Sequence, residues 1–257
     1  MLFLTYAPQF CCAYVRHIYG SDHLFDGFFE KFYRIFVEGK SYTLLIDGLK
    51  YTIIISLASL VIGIVLGTIL AVFKVIPRNN VFAKILYGIA NVYITVIRGT
   101  PVMVQLLLAY YGIFATSFKG VDAKALLISI IVFGINSSAY VAEIIRGGIM
   151  SNDKGQMEAG RSLGFSYSTT MIKIILPQAI KNILPALGNE FIVLIKETSV
   201  AGFITVFDLT RAARAIVASY YEAFVPYLVL AAIYLALVLG ATWLLNAFER
   251  RLRKSDH

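Results

Sequence analysis

Long apolar runs broken by short polar stretches dominate this chain. They extend over about residues 49 to 73, 85 to 114, 125 to 145, 171 to 195 and 221 to 248. Each meets or passes the roughly 20 residues a helix needs to cross a hydrocarbon core. The pattern predicts an all-α integral membrane protein of about five transmembrane helices, with residues 48 to 249 as the membrane domain. In the first run Gly63, Gly67 and Ala71 recur at every fourth position, a spacing that lets two helices approach closely and is read as packing within the chain. The second run is interrupted at Arg98-Gly99-Thr100-Pro101. Proline has no backbone N–H to donate, and it biases the residue before it away from helix. The fourth run carries Pro177 and Pro185.

Outside the runs, residues 25 to 47 set Phe25, Phe28, Phe29, Phe32, Tyr33 and Phe36 among Asp26, Glu30, Lys31 and Arg34 at three- and four-residue steps. That spacing reads as an amphipathic helix in the membrane interface, with a solvent-exposed flap as the other reading. Residues 1 to 24 read as an N-terminal extension, 196 to 221 as a polar loop, and 250 to 257 as a basic tail.

Composition agrees with the pattern. Of the 257 residues, 59% are hydrophobic and only 15% charged, against about 25% in an average soluble domain. The net charge of +8 brings nucleic acid to mind, but no polar domain gathers the basic residues, so nucleic acid binding is not expected. The densest cluster, Arg250, Arg251, Arg253 and Lys254, directly follows the fifth apolar run. Basic residues at span ends mark the cytoplasmic side, which places the C-terminus in the cytoplasm and, with five spans, the N-terminus outside. Cys11 and Cys12 are adjacent, a poor arrangement for a mutual bridge, and have no metal-ligand spacing; they read as apolar fillers.

Catalytic chemistry has little to stand on. His17, His23 and His257 all lie outside the spans. Gly39-Lys40-Ser41 ends like a phosphate-binding loop, but Arg34 stands where its first glycine is required. The informative stretch is the polar segment between the third and fourth runs. It reads Glu158-Ala159-Gly160, three residues, Gly164, nine residues, Ile174, one residue, Leu176-Pro177. This closely resembles the motif of permease subunits of ABC importers, with Gly160 in place of an alanine. Arg98-Gly99-Thr100-Pro101, Glu143-Ile144-Ile145-Arg146-Gly147-Gly148-Ile149, Leu176-Pro177-Gln178-Ala179 and Lys196-Glu197-Thr198-Ser199 narrow the resemblance to the polar amino acid permeases, the histidine and glutamine type. It covers about residues 45 to 250 and leaves out the first 24.

The resemblance implies a cytoplasmic coupling helix between spans three and four that docks on an ABC ATPase subunit. Glu158, Ala159, Gly160 and Gly164 are its candidate coupling residues. It also implies a second permease subunit, identical or sibling, an ATPase dimer, and an extracytoplasmic amino-acid-binding protein, in the plasma (inner) membrane of a prokaryote. No cofactor is expected on this chain, since ATP would be hydrolysed by the partner. The small residues fit a helix lying deep in a groove. Glu158, read as near the helix start, suits the helix dipole there, and Gly164 suits a helix end.

Polar side chains within spans are costly in lipid and should face a cavity or a partner. On a helical wheel Asn136, Tyr140 and Glu143 share one face of the third span, and Gln178, Asn182 and Asn189 share one of the fourth, with Glu190 about 100° away. An amino acid presents a carboxylate and an ammonium. Arg98 is the candidate for the first, Glu190 or Glu143 for the second, and Asn136 and Asn189 are neutral partners. An ion-coupled secondary transporter or channel is the alternative reading, since such folds also use broken helices, although no internal repeat is visible.

Overall fold

The computed structural model describes residues 27–117 and 123–253. The extension over residues 1 to 24, with Cys11 and Cys12, and the last four residues of the basic tail lie outside the described residues. The elements are α1 (Phe28–Phe32) with a π-helical turn (Tyr33–Glu38), α2 (Tyr42–Val75), α3 (Val81–Gly99), and α4 (Val102–Leu108) with a π-helical turn (Ala109–Ile113). There follow α5 (Lys124–Met150), α6 (Lys154–Ser162), α7 (Tyr167–Thr170) with a π-helical turn (Met171–Ile175), and α8 (Leu176–Glu197). A 3-10 turn (Thr198–Ile204), α9 (Leu209–Tyr220) and α10 (Phe224–Arg253) complete the chain. No strand occurs among the described residues.

Four helices, α2, α3, α5 and α10, are long and apolar enough to cross a membrane by length and composition. The fourth expected span, α8, has the length, 22 residues. It is less apolar because Gln178, Lys181, Asn182, Asn189, Glu190, Lys196 and Glu197 all fall on it. The second expected span is two helices, α3 and α4, separated at Thr100 and Pro101.

The body is built on the pair α2 and α5. A Cβ on Gly67 would lie 2.7 Å from the Val141 side chain and 2.8 Å from the Ser138 carbonyl oxygen. One on Gly134 would lie 2.7 Å from Ile62. Neither helix could carry a larger residue there without moving away from the other. Ser59 Oγ closes the seam by donating to the Ile130 carbonyl at 3.1 Å. The stripe of small residues thus serves packing inside the chain. Phe133, Ile55 and Ile128 are fully buried beside it, with Leu106, Leu194 and Ile204.

The segment expected to be a polar loop over residues 196 to 221 is different. Its second half is α9, whose Leu209, Ala212, Ala213 and Ile216 are buried against Leu45 and Val225. These four positions follow a helical period, and Asp208 caps the helix by accepting from the N–H groups of Thr210 and Arg211 at 3.1 Å each. Burial pushes the Asp208 carboxyl up to about 6 against these bonds. The amphipathic segment is shorter than residues 25 to 47, because α2 already begins at Tyr42. Ile35 and Phe36 are buried against α9 and α10, while Phe29 and Tyr33 remain exposed.

Gly67→Ala is expected to lower the stability of the detergent-solubilised protein by about 1–3 kcal/mol, the usual cost of overpacking. Gly88→Ala, where a Cβ meets nothing within 4 Å, should cost none. Thermal unfolding followed by tryptophan fluorescence or light scattering compares the two.

Candidate functional site

Two side chains bond the carbonyls at the break in the second span: Thr100 Oγ1 donates to the Val96 carbonyl at 2.9 Å, and Gln105 takes the others. Thr100 and Pro101 are extended, with φ/ψ of −119/140° and −62/134°. The last carbonyls of α3 therefore have no helical partners ahead of them. Gln105, on α4, reaches back. Its Nε2 donates to the carbonyls of Ile97 at 2.8 Å and Thr100 at 3.1 Å and to Thr100 Oγ1 at 2.8 Å, two N–H groups shared among three acceptors. Gln105 Oε1 accepts from Asn136 Nδ2 at 3.1 Å. A polar chain thus runs from the break to the middle of α5.

Beside the break lies a cavity of about 470 Å³, lined by residues 98–102, Asn136, Tyr140 and Glu197. The Arg98 guanidinium lies over the Tyr140 ring, 5.1 Å from its centroid. Among the described residues Arg98 has no carboxylate partner, so its charge is available to the cavity. Glu197, the last residue of α8, also lines it. A cation, a carboxylate and three neutral polar side chains, Thr100, Asn136 and Tyr140, therefore border one space.

The polar segment after α5 forms α6, a nine-residue helix capped by Asp153 Oδ1, which accepts from Gly155 N–H at 2.9 Å. Glu158 sits in the middle of α6 rather than near its start, and its side chain and that of Ala159 are exposed. Gly160 faces the other way: a Cβ there would lie 2.6 Å from Thr170. Its small size serves the fold of the loop. Gly164 has φ +85°, the left-handed region where glycine is favoured, and it stops the helix. Leu163 and Phe165, not singled out in the sequence, are 76% and 46% exposed beside it. Tyr167 Oη donates to the Val75 carbonyl at 3.2 Å, tying the segment to the end of α2. Burial pushes the Tyr167 phenol up, so it remains a donor.

The family described as "Binding-protein-dependent transport system inner membrane component" matches residues 46–254. The chain belongs to this family. It is 38% identical over 200 residues to the "Arginine transport system permease protein ArtQ" of Bacillus subtilis, covering 78% of this chain and 88% of that one. It is 37% identical over 208 residues to the "Nopaline transport system permease protein NocM" of Agrobacterium fabrum, with 75% and 83% covered. A solved structure titled "Crystal structure of an amino acid ABC transporter with histidines" superposes with TM-score 0.76 at 45% identity, over 84% of this chain and 98% of that one. The methionine ABC transporter MetNI in an inward-facing conformation shares the fold, with TM-score 0.67 at 19% identity, over 82% of this chain and 97% of that one. The chain is an ABC transporter permease, a membrane subunit that works with an ATPase partner.

Within this permease the residues proposed from sequence separate into two groups. Arg98 and Asn136 border the cavity. Glu143, Asn189 and Glu190 do not line it. Glu143, one turn past Tyr140, is claimed by cations: Lys74 Nζ lies 2.5 Å from Oε1 and Arg146 Nη2 2.8 Å from Oε2. Glu190 is buried, accepting from Ser137 Oγ at 2.7 Å. Asn189 is exposed on a neighbouring face of α8, as the 100° step requires. Gln178 Nε2 donates to the Ile174 carbonyl at 2.9 Å and Asn182 Nδ2 to Ser151 Oγ at 3.1 Å, so that face is held in local bonds. Glu197 lines the cavity and Gln105 braces it, and neither is among the residues proposed from sequence. The motif containing Glu197 was visible, and the position of Gln105 four residues after a proline within a span was the available signal.

The Lys74 side chain is only 9% exposed, and Glu143 is the carboxylate that balances it. Glu143→Gln is therefore expected to destabilise the permease by about 3 kcal/mol, the cost of leaving a buried charge unpaired. Lys74→Met should cost less, because Glu143 keeps Arg146. Equal losses in thermal unfolding midpoint for the two variants would contradict this.

Proposed function

We propose that this permease is the pore-forming subunit of an importer that carries amino acids across the plasma membrane of a prokaryote. Its C-terminus is cytoplasmic, and it pairs with a second permease subunit. An ATPase dimer on the cytoplasmic side supplies the energy, and an extracytoplasmic binding protein delivers the substrate. The chain itself binds no cofactor. The observation that carries the proposal is the cavity at the break of the second span. Arg98 and Glu197 bring opposite charges to one space, as the carboxylate and ammonium of an amino acid require. The names of the relatives support the substrate class, since arginine, glutamine and nopaline permeases are among them.

In this proposal Arg98 receives the substrate carboxylate. Glu197 receives the ammonium, the role first given to Glu190 or Glu143. Asn136 offers its remaining amide oxygen and keeps the break in place through Gln105. Glu190 and Glu143 act through the packing of α8 and α5 around the cavity, and the exposed Asn189 is given no role. The coupling helix α6 presents Glu158 and Ala159 to the ATPase, with Leu163 and Phe165 as apolar anchors and Gly160 and Gly164 shaping the loop. Closure of the ATPase dimer would shift the balance between two conformations of the pore by pushing on α6.

The test is uptake of labelled amino acids by proteoliposomes holding this permease with its ATPase and binding protein. Arg98→Gln and Glu197→Gln should each reduce uptake about tenfold or more, the scale of one charge-assisted hydrogen bond, with ATPase association retained. Wild-type rates in both variants would place the site elsewhere.

A further inference from the structure

Two cations share one carboxylate near the end of α2, and two more basic residues stand beside them on the α2–α3 turn and α3. Glu143 holds Lys74 and Arg146. The Arg78 guanidinium lies on the Tyr87 ring at 4.3 Å from its centroid, and Lys74 Nζ lies 6.0 Å from the same centroid. Lys84, in the first turn of α3, is exposed one turn before Tyr87. Among the described residues neither Arg78 nor Lys84 has a carboxylate partner, and residues 48 to 121 contain no Asp or Glu at all. The cluster carries a surplus of positive charge that no described residue neutralises.

We infer that Arg78, Lys84 and Tyr87 form a binding site for the phosphate headgroup of an anionic phospholipid in the cytoplasmic leaflet. Four observations converge on that occupant. First, the site stands at a membrane boundary, because α2 ends at Val75 and α3 begins at Val81, both apolar helices of spanning length. Second, Tyr167, just past the coupling helix, donates to Val75, so this boundary is on the side of the coupling helix. Third, stacking on Tyr87 occupies the face of the Arg78 guanidinium and leaves its N–H edge free for a phosphate. Fourth, Val81, Phe82, Ile85 and Ile89 are all exposed along α3 next to the cations, an apolar strip of the kind an acyl chain covers. Basic clusters at cytoplasmic span ends attract anionic lipid by this charge complementarity. A soluble phosphate shares the headgroup chemistry but has nothing to place on the apolar strip.

The inference rests on the cytoplasmic orientation proposed above and is independent of what the cavity carries. The test uses the full chain with its ATPase partner, purified in detergent. Phosphatidylglycerol, phosphatidylcholine and glycerol phosphate are titrated in turn, with bound lipid counted by native mass spectrometry and stability read as thermal midpoint. Phosphatidylglycerol is expected to bind and stabilise more strongly than phosphatidylcholine. Removing both cations in Arg78→Gln/Lys84→Gln should weaken that binding by on the order of tenfold, with Lys50→Gln at the other end of α2 as an unaffected control. Equal binding of the two lipids by the wild type would overturn the inference without any variant. So would undiminished phosphatidylglycerol binding in the double variant, or stabilisation by glycerol phosphate as large as by the lipid. Loss of the ATPase from the double variant, with lipid binding unchanged, would assign the cations to the protein partner instead. Uptake by the wild type, measured separately, shows whether the importer proposal holds whatever the lipid result.

Discussion

A backbone inside a bilayer has no water to bond with, so every interruption of a helix there must be satisfied by the protein itself. In this permease the interruption at Thr100 and Pro101 is satisfied by Gln105, and Gln105 is fixed by Asn136 on α5. The cavity exists because these two amides allow the second span to bend without leaving carbonyls exposed to lipid. Arg98 and Glu197 are then presented at its walls by the end of α3 and the end of α8. Geometry at the candidate site is therefore a property of three spans acting together.

The rest of the fold sets a closely packed helix pair beside a segment folded on itself. Close contacts at Gly67 and Gly134 join α2 and α5 into one unit, and the Lys74–Glu143–Arg146 network fastens its α6 end. The segment from α6 to α7 touches that unit through Tyr167 and Val75 and is folded on itself through Gly160 and Thr170. Displacement of α6 would thus be passed to the end of α2 as well as to α8, its continuation in the chain.

Much of this was legible in the sequence because membrane insertion imposes a coarse constraint that hydropathy reports directly. Apolar runs gave the spans, the small residues of the first run gave the helix seam, and Pro101 gave the break. What stayed hidden depended on polar residues choosing among partners. Glu143 shares a helical face with Asn136 and Tyr140 and stands one turn before Arg146, but Lys74 reaches it from α2, and no wheel of α5 contains that contact. Helix α9 reads as a loop from hydropathy because Arg211 and Arg214 outweigh its short apolar face, Leu209 to Ile216. Gln105 was unremarkable until the carbonyls it satisfies were in place.

The central claim is that ATP hydrolysed by a partner drives substrate through this subunit. It is tested most directly by reconstituting the permease with its ATPase and binding protein and comparing uptake powered by ATP with uptake under an imposed ion gradient, for the wild type and for Glu158→Lys. The account predicts ATP-dependent uptake by the wild type, no uptake under the gradient alone, and loss of both ATPase and uptake in Glu158→Lys. Gradient-driven uptake by the permease without any ATPase would contradict it.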